Sequence, residues 1–185
     1  WSDTYDSDLE DIFSVQDEIA KSIVEQLKKT LSLEISSKPL VKIPTDNMEA
    51  YNLYLKALFY WNKWSIDDTT LAIKYCEDAI KIAPDFALAY ARLSACYVYS
   101  GAVGYMAHEK AYTQARMYAN KSLQLDDSLP DSHLSLAMVK YFNDWDWKGA
   151  EKCFMKALEI NPNSAEAHEY YAMLLTTFGH HKKAL

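Results

Sequence analysis

The residues able to do chemistry are few and scattered. Cys76, Cys96 and Cys153 stand far apart in apolar stretches and form no CxxC pair. They predict buried, reduced thiols of a cytosolic compartment rather than a disulfide framework or a metal site. His180 and His181 are adjacent. On a helix they point about 100° apart, so they cannot easily share a metal, and no third ligand converges on them. Cys153 and His168 fall in neighbouring helical stretches, but no acid is placed to orient the imidazole. No set of nucleophile, base and oxyanion donors can be assembled. A glycine-rich phosphate loop is absent too, with four glycines in 185 residues. The sequence therefore predicts no catalytic residue, no metal site and no cofactor.

Charge narrows the partners. The formal net charge is −7. Seven acids crowd the first twenty residues (Asp3, Asp6, Asp8, Glu10, Asp11, Asp17 and Glu18), which hold no Lys or Arg, leaving 19 acids to match the 19 bases of the remainder. No basic run would track a phosphate backbone, so nucleic acid is not an expected partner. No apolar run reaches the roughly 18–20 residues of a membrane span, so no membrane is expected either.

The elements that would position side chains are helical. Hydrophobic residues make up 50% of the chain, against four Gly and five Pro, a balance that favours helices over sheets. Residues 1–33 predict an N-terminal amphipathic element. Ser7 and Glu10 form a capping box, and Leu9, Ile12, Phe13, Ile19, Ala20, Ile23, Val24, Leu27 and Leu31 recur at helical period. This stripe would cap the solenoid described below or form a dimer seam. Residues 34–46, with Pro39 and Pro44, read as a linker. The chain starts at Trp1 and stops inside a repeating pattern, which predicts an excised part of something longer.

That pattern is clearest from Ala150 onward. Ala150, Phe154, Ala157 and Pro162 are followed in register by His168, Tyr171, Ala172, Leu175, Gly179 and Ala184. Small residues stand where two antiparallel helices would cross, and bulky ones lie a turn away to fill the space beside the contact. The same register runs through Ala50, Leu53, Ala57, Tyr60, Ala72, Cys76, Ala79 and Pro84, and through Tyr90, Leu93, Ser94, Tyr97, Ala115, Ala119 and Ser122. A third copy starts at His133, Leu136 and Ala137. Extra residues are expected between helices at three places: three around Trp64 to Asp68, nine in a loop from Ser100 to His108, and one in the third copy.

The spacing resembles the tetratricopeptide-repeat (TPR) family over residues 46–185, as three repeats and a truncated fourth. The resemblance implies an all-α, right-handed superhelix of antiparallel helix pairs that serves as a protein-binding scaffold. Three segments, WSDTYDSDLEDIFSVQDEIA, AYNLYLKALFYW and DWDWKGAEKCFMKALEINPN, are similar to the TPR region of bacterial multidomain regulators. In those proteins a cyclase or winged-helix output domain is followed by a TolB-like segment and TPRs.

Carried over from the family, the groove-lining positions of each first helix are Tyr51, Tyr54, Leu58, Trp61 and Asn62 in repeat one. Repeat two supplies Leu88, Ala91, Ala95, Val98 and Tyr99, and repeat three Asp131, Leu134, Met138, Tyr141 and Phe142. Repeat four supplies Glu166, Glu169, Met173, Thr176 and Thr177. The resemblance thus implies an apolar and aromatic concave groove, suited to a peptide or helix unless a segment of the chain itself fills it. Asn62 alone matches the residues with which some relatives hold a terminal carboxylate, and no Lys or Arg joins it among these positions. His133 and His168 take the aromatic position of the first helix and are expected in or near the core. In Asp144-Trp145-Asp146-Trp147 the tryptophans are expected to close the inter-helix corner while Asp146 caps the next helix.

The expected function is a cytoplasmic protein–protein interaction scaffold of a bacterial regulatory protein, not an enzyme, with an unidentified protein or peptide partner. Two alternatives belong to other classes: a homodimerisation module joining output domains, and a sensor of a small apolar ligand. Truncation would leave Tyr171, Leu174 and Leu175 uncovered and drive self-association through the C-terminal end.

Overall fold

The computed structural model describes residues 45–184 together with Ile19, Ser22 and Ile23. The chain divides into two units, residues 1–48 and 49–185. In the first, Ile19, Ser22 and Ile23 are helical. The rest of the expected N-terminal helix, and the linker up to residue 44, lie outside the described residues, as does Leu185.

The second unit is a run of helix hairpins. The first pairs α1 (Met48–Trp61) with α2 (Ile66–Ile82), and the second pairs α3 (Ala87–Ala102) with α4 (His108–Leu125). In the third, α5 (Pro130–Val139) continues into a π-helical turn (Lys140–Asp144) before α6 (Trp147–Ile160). In the fourth, α7 (Ala165–Thr177) is followed by the short α8 (His181–Ala184). No strand occurs among the described residues.

Local chemistry sets the ends of these helices. Ser65, Asp146 and Ser164 each accept an N–H three residues on, from Asp68, Gly149 and Ala167. These side chains satisfy donors that have no partner inside a helix. Pro130 opens α5, where a missing N–H costs nothing.

The crossings follow the small residues. Ala50, Ala57, Ala72, Ala79, Ala115, Ala119, Ala137, Ala150 and Ala157 are all fully buried, with Leu93 and Phe154 filling the space beside them. Where repeat two has serine instead, the hydroxyls are paired: Ser94 donates to the Ala115 carbonyl and Ser122 to that of Ala87. His133 and His168 reach back alike, each placing Nε2 within 2.7–2.8 Å of the carbonyl six residues earlier, on Asp127 and Pro162. This pins each inter-repeat turn. His133 is half-buried, but His168 is exposed rather than part of the core.

The insertions differ from expectation. The nine-residue loop of repeat two shrinks to 103–107, because α3 runs on to Ala102 and α4 starts at His108. Gly101 therefore lies inside α3, where an added Cβ would sit 2.9 Å from Ala111 Cβ and from the Tyr112 ring. It permits the close approach of α4. The single extra residue of repeat three is absorbed by the π-helical turn, a common fate of one-residue insertions in helices.

Trp147 does close its corner, against Tyr141 and Phe178. Trp145 does not: it is 68% exposed. The C-terminal end also departs from expectation. Leu174 and Leu175 are 1% and 5% exposed, and Tyr171 packs on Phe154. Trp147 and Phe178 line the recess over both leucines.

Candidate functional site: the face of the first helices

The first helices of the four repeats, α1, α3, α5 and α7, are joined by one side chain. Arg92 of α3 lies with its guanidinium carbon 5.3 Å from the centroid of the Trp61 ring on α1. Its two terminal nitrogens donate to the two carboxylate oxygens of Glu166 on α7, at 3.1 and 3.2 Å, and one stands 3.9 Å from Asp131 on α5. The Arg92 side chain is 10% exposed, and its Nε–H finds no acceptor among the described residues. Burial alone would weaken its proton affinity, but the Glu166 carboxylate more than offsets that, and Arg92 stays charged. Burial raises Asp131 above the ordinary carboxyl value, with Arg92 opposing the shift. Ala91, Ala95, Leu134 and Met138 complete the floor around a recess of about 10 Å³.

The expected groove residues fall into three groups. Tyr54, Trp61, Ala91, Ala95, Val98, Leu134 and Met138 are buried, Val98 and Met138 to 1% exposure. Tyr54 meets Phe86 edge-on at 5.2 Å, and burial raises its phenol pKa, opposed by the charge of Arg92. Tyr51, Leu58, Leu88, Tyr99, Asp131, Tyr141, Phe142 and Glu166 are half-buried. Tyr51, Leu58 and Leu88 pack against the buried cluster that contains Tyr54 and Phe86. Asn62, Glu169, Met173, Thr176 and Thr177 are exposed.

The half-buried aromatics gather in two clusters. Tyr99 meets Trp61 at 5.7 Å, Trp64 at 5.3 Å and Tyr105 at 5.8 Å. Phe142 meets Tyr141 at 4.8 Å and Tyr170 at 6.3 Å, and the Tyr141 hydroxyl pairs with that of Thr177 at 2.8 Å. Burial raises the Tyr170 phenol, with Glu166, Glu169, Arg92 and Tyr99 all close enough to influence it.

Four of these side chains escaped the position-by-position reading: Arg92, Tyr170, Trp64 and Tyr105. Arg92 had a visible signal, being the one charged residue of α3, ALAYARLSACYVYSGA. Its acids occupy equivalent positions, Asp131 next to the start of α5 and Glu166 next to the start of α7.

Among the described residues no cluster of His, Cys, Asp and Glu could hold a metal ion, and no helix is long and apolar enough to cross a membrane. Cys76 and Cys96 are fully buried and Cys153 partly, all unbonded, and burial raises each thiol.

Two family models described as tetratricopeptide repeat match residues 50–86 and 153–185. A relative, "Putative adenylate cyclase 3" of Rhizobium meliloti (strain 1021), is 29% identical over 145 residues, covering 75% of this chain. The alignment takes in 24% of that relative, so this chain spans about a quarter of its length. Among solved structures, the Sgt2 TPR domain of Aspergillus fumigatus aligns with a TM-score of 0.57 at 16% identity, over 77% of this chain and 87% of that one. The first TPR domain of human RPAP3 gives 0.55 at 15%, over 74% and 98%. The first TPR of Spaghetti (RPAP3), bound to the HSP90 peptide SRMEEVD, gives 0.53 at 17%, over 75% and 99%. The hairpins of the second unit form a TPR superhelix.

Proposed function

We propose that this chain is a non-catalytic interaction scaffold that takes a peptide or helix along the face formed by α1, α3, α5 and α7. The observation that carries the reading is the division of that face into two tiers. Buried residues from Tyr54 to Met138 hold its floor, while Tyr99, Tyr141, Phe142, Glu169 and Met173 keep surface available above it. Rigid aromatic rings give contact area at small entropic cost, as an extended or helical ligand requires. The peptide held by the structural neighbour Spaghetti (RPAP3) supports the same use of the fold. The recess at the floor, about 10 Å³, is far too small for an apolar organic ligand, which favours a ligand lying along the surface.

The regulatory setting is part of the proposal. Similarity to a quarter of a protein named as an adenylate cyclase supports a scaffold attached to a signalling output domain in a bacterial cytoplasm. Selection of binders from a random peptide library, followed by hydrogen-exchange mapping, tests the groove. Protection should centre on Tyr99, Phe142 and Met173, and Met173→Ala should weaken the selected peptides while leaving the helical signal unchanged. Protection confined to α2, α4 and α6 would overturn this reading.

A further inference from the structure

The charges on this face do not suit an acidic ligand. Among the residues expected to line the groove, Asp131, Glu166 and Glu169 are acidic and none is basic. The described residues of α1, α3, α5 and α7 include two cations: Lys56, whose ammonium lies 5.9 Å from the Tyr75 ring centroid on α2, and Arg92, which Glu166 and Asp131 already occupy. Glu169 is exposed and has no ion-pair partner among the described residues. A ligand rich in carboxylates would meet three of its own kind and no guanidinium or ammonium among the groove positions.

The second observation is the unspent donor. Arg92 lines the recess on the floor and is nine-tenths buried, yet its Nε–H lacks an acceptor among the described residues. About 10 Å³ of room accommodates a single oxygen atom. A peptide backbone supplies such an oxygen as a carbonyl. The side chains on either side of it would then pass Glu169 and the half-buried rings of Tyr99 and Phe142. Rings and a carboxylate together suit a Lys or Arg, through charge pairing and cation–π contact. The protein already uses such contacts elsewhere: the Lys63 ammonium sits 4.4 Å from the Phe59 ring centroid.

We propose that the groove selects a cationic peptide segment, one that places a Lys or Arg against Glu169 and a backbone carbonyl toward Arg92. This rests on the groove reading above. The experiment therefore compares peptides selected from one random library on the wild-type protein and on Glu169→Lys, with Glu169→Gln as an intermediate. Glu169 is exposed, so both variants should melt like wild type. Wild-type groove binders should be enriched in Lys and Arg. Their affinity should fall with added salt, by about tenfold in Glu169→Lys and by less in Glu169→Gln. Groove binders that are acidic or neutral would overturn the charge preference and leave the groove reading standing. Basic binders that keep their affinity for Glu169→Lys would also overturn it, because the attraction would then not run through Glu169. A library that yields no groove binder would overturn both.

Discussion

Arg92 and Glu166, 74 residues apart, face each other as a two-pronged pair from α3 to α7, skipping the intervening repeat. In a solenoid each repeat ordinarily touches only its neighbours. This pair ties the second repeat directly to the fourth, and Asp131 of the third sits beside it. Removing Glu166 leaves a buried guanidinium with one distant carboxylate. Glu166→Ala should cost about 3 kcal/mol, at the low end for breaking a buried pair because Glu166 is partly exposed. A urea melt measures this, and a loss below about 0.5 kcal/mol would mean that solvent screens the pair.

The buried and the exposed residues on the face of α1, α3, α5 and α7 predict opposite behaviour. Met138→Ala empties a fully buried site and should cost about 2–5 kcal/mol, and Tyr54→Ala a similar amount. Met173→Ala, at an exposed position, should stay within about 0.5 kcal/mol of wild type. Equal melting temperatures for all three would put Met138 outside the core.

Ala157 sits at a crossing with no exposed surface. Ala157→Leu should overpack the contact and lower stability by about 1–3 kcal/mol. Thermal unfolding checks this, and an unchanged midpoint would mean that the register of α6 is wrong.

Trp64 and Trp145 both adopt the left-handed backbone conformation, with φ of 55° and 57°, just before the caps of α2 and α6. Glycines serve the corresponding corners of the other two repeats, Gly104 at φ 78° and Gly179 at φ 73°. A bulky side chain in that region costs about 1–2 kcal/mol. Trp145 is exposed and meets one ring, that of Trp147 at 5.3 Å, so Trp145→Gly should raise stability by at most about 1 kcal/mol. Trp64 packs on Trp61 and Tyr99, so Trp64→Gly should bring no gain. Chemical denaturation of both variants separates the two cases.

Burial pushes Cys96 up to about 12 from the ordinary 9.0 and raises Cys76 as well, each thiol opposed by Arg92. The unfolded chain ionises these thiols near 9.0, whereas the folded chain keeps them protonated. Their contribution is therefore whole below pH 9.0 and lost as pH climbs toward 12. The melting temperature should fall over that range, and less so in Cys96→Ala measured against its own neutral-pH value. At mildly alkaline pH, iodoacetamide should label the partly buried Cys153 first, with Cys76 and Cys96 following only as the chain opens.

The alternation of small and large residues makes the hairpins legible in the sequence, because Ala72, Ala79, Ala150 and Ala157 can serve a helix crossing only at that spacing. The cap at Asp146 was legible for a similarly local reason. Loop lengths were not, since counting residues cannot tell a longer loop from longer helices; Gly101, read as loop, lets α4 approach α3. The site was legible only in part. Position rules pointed to Trp61, Asp131 and Glu166 but not to Arg92, which meets all three of them from α3. The same rules could not tell Met138, which faces the core, from Met173, which faces solvent, because both occupy the same position in their repeats.

The π-helical turn at Lys140–Asp144 bears on which length changes the chain tolerates. One residue added within a regular helix turns everything after it by about 100° and would swing an apolar face into water. Here the Trp145 N–H returns to the Lys140 carbonyl across a wider ring, and the chain then reverses into α6 with Ala150, Phe154 and Ala157 still facing inward. The stack keeps phase rather than length. Deleting one residue from 140–144 should relax the turn to an ordinary α-helix and move no downstream alanine out of place. The same deletion two turns earlier would rotate Ala137 and Met138 away from their neighbours. Insertions and deletions are accordingly tolerated at the tips of the hairpins and excluded from their stems.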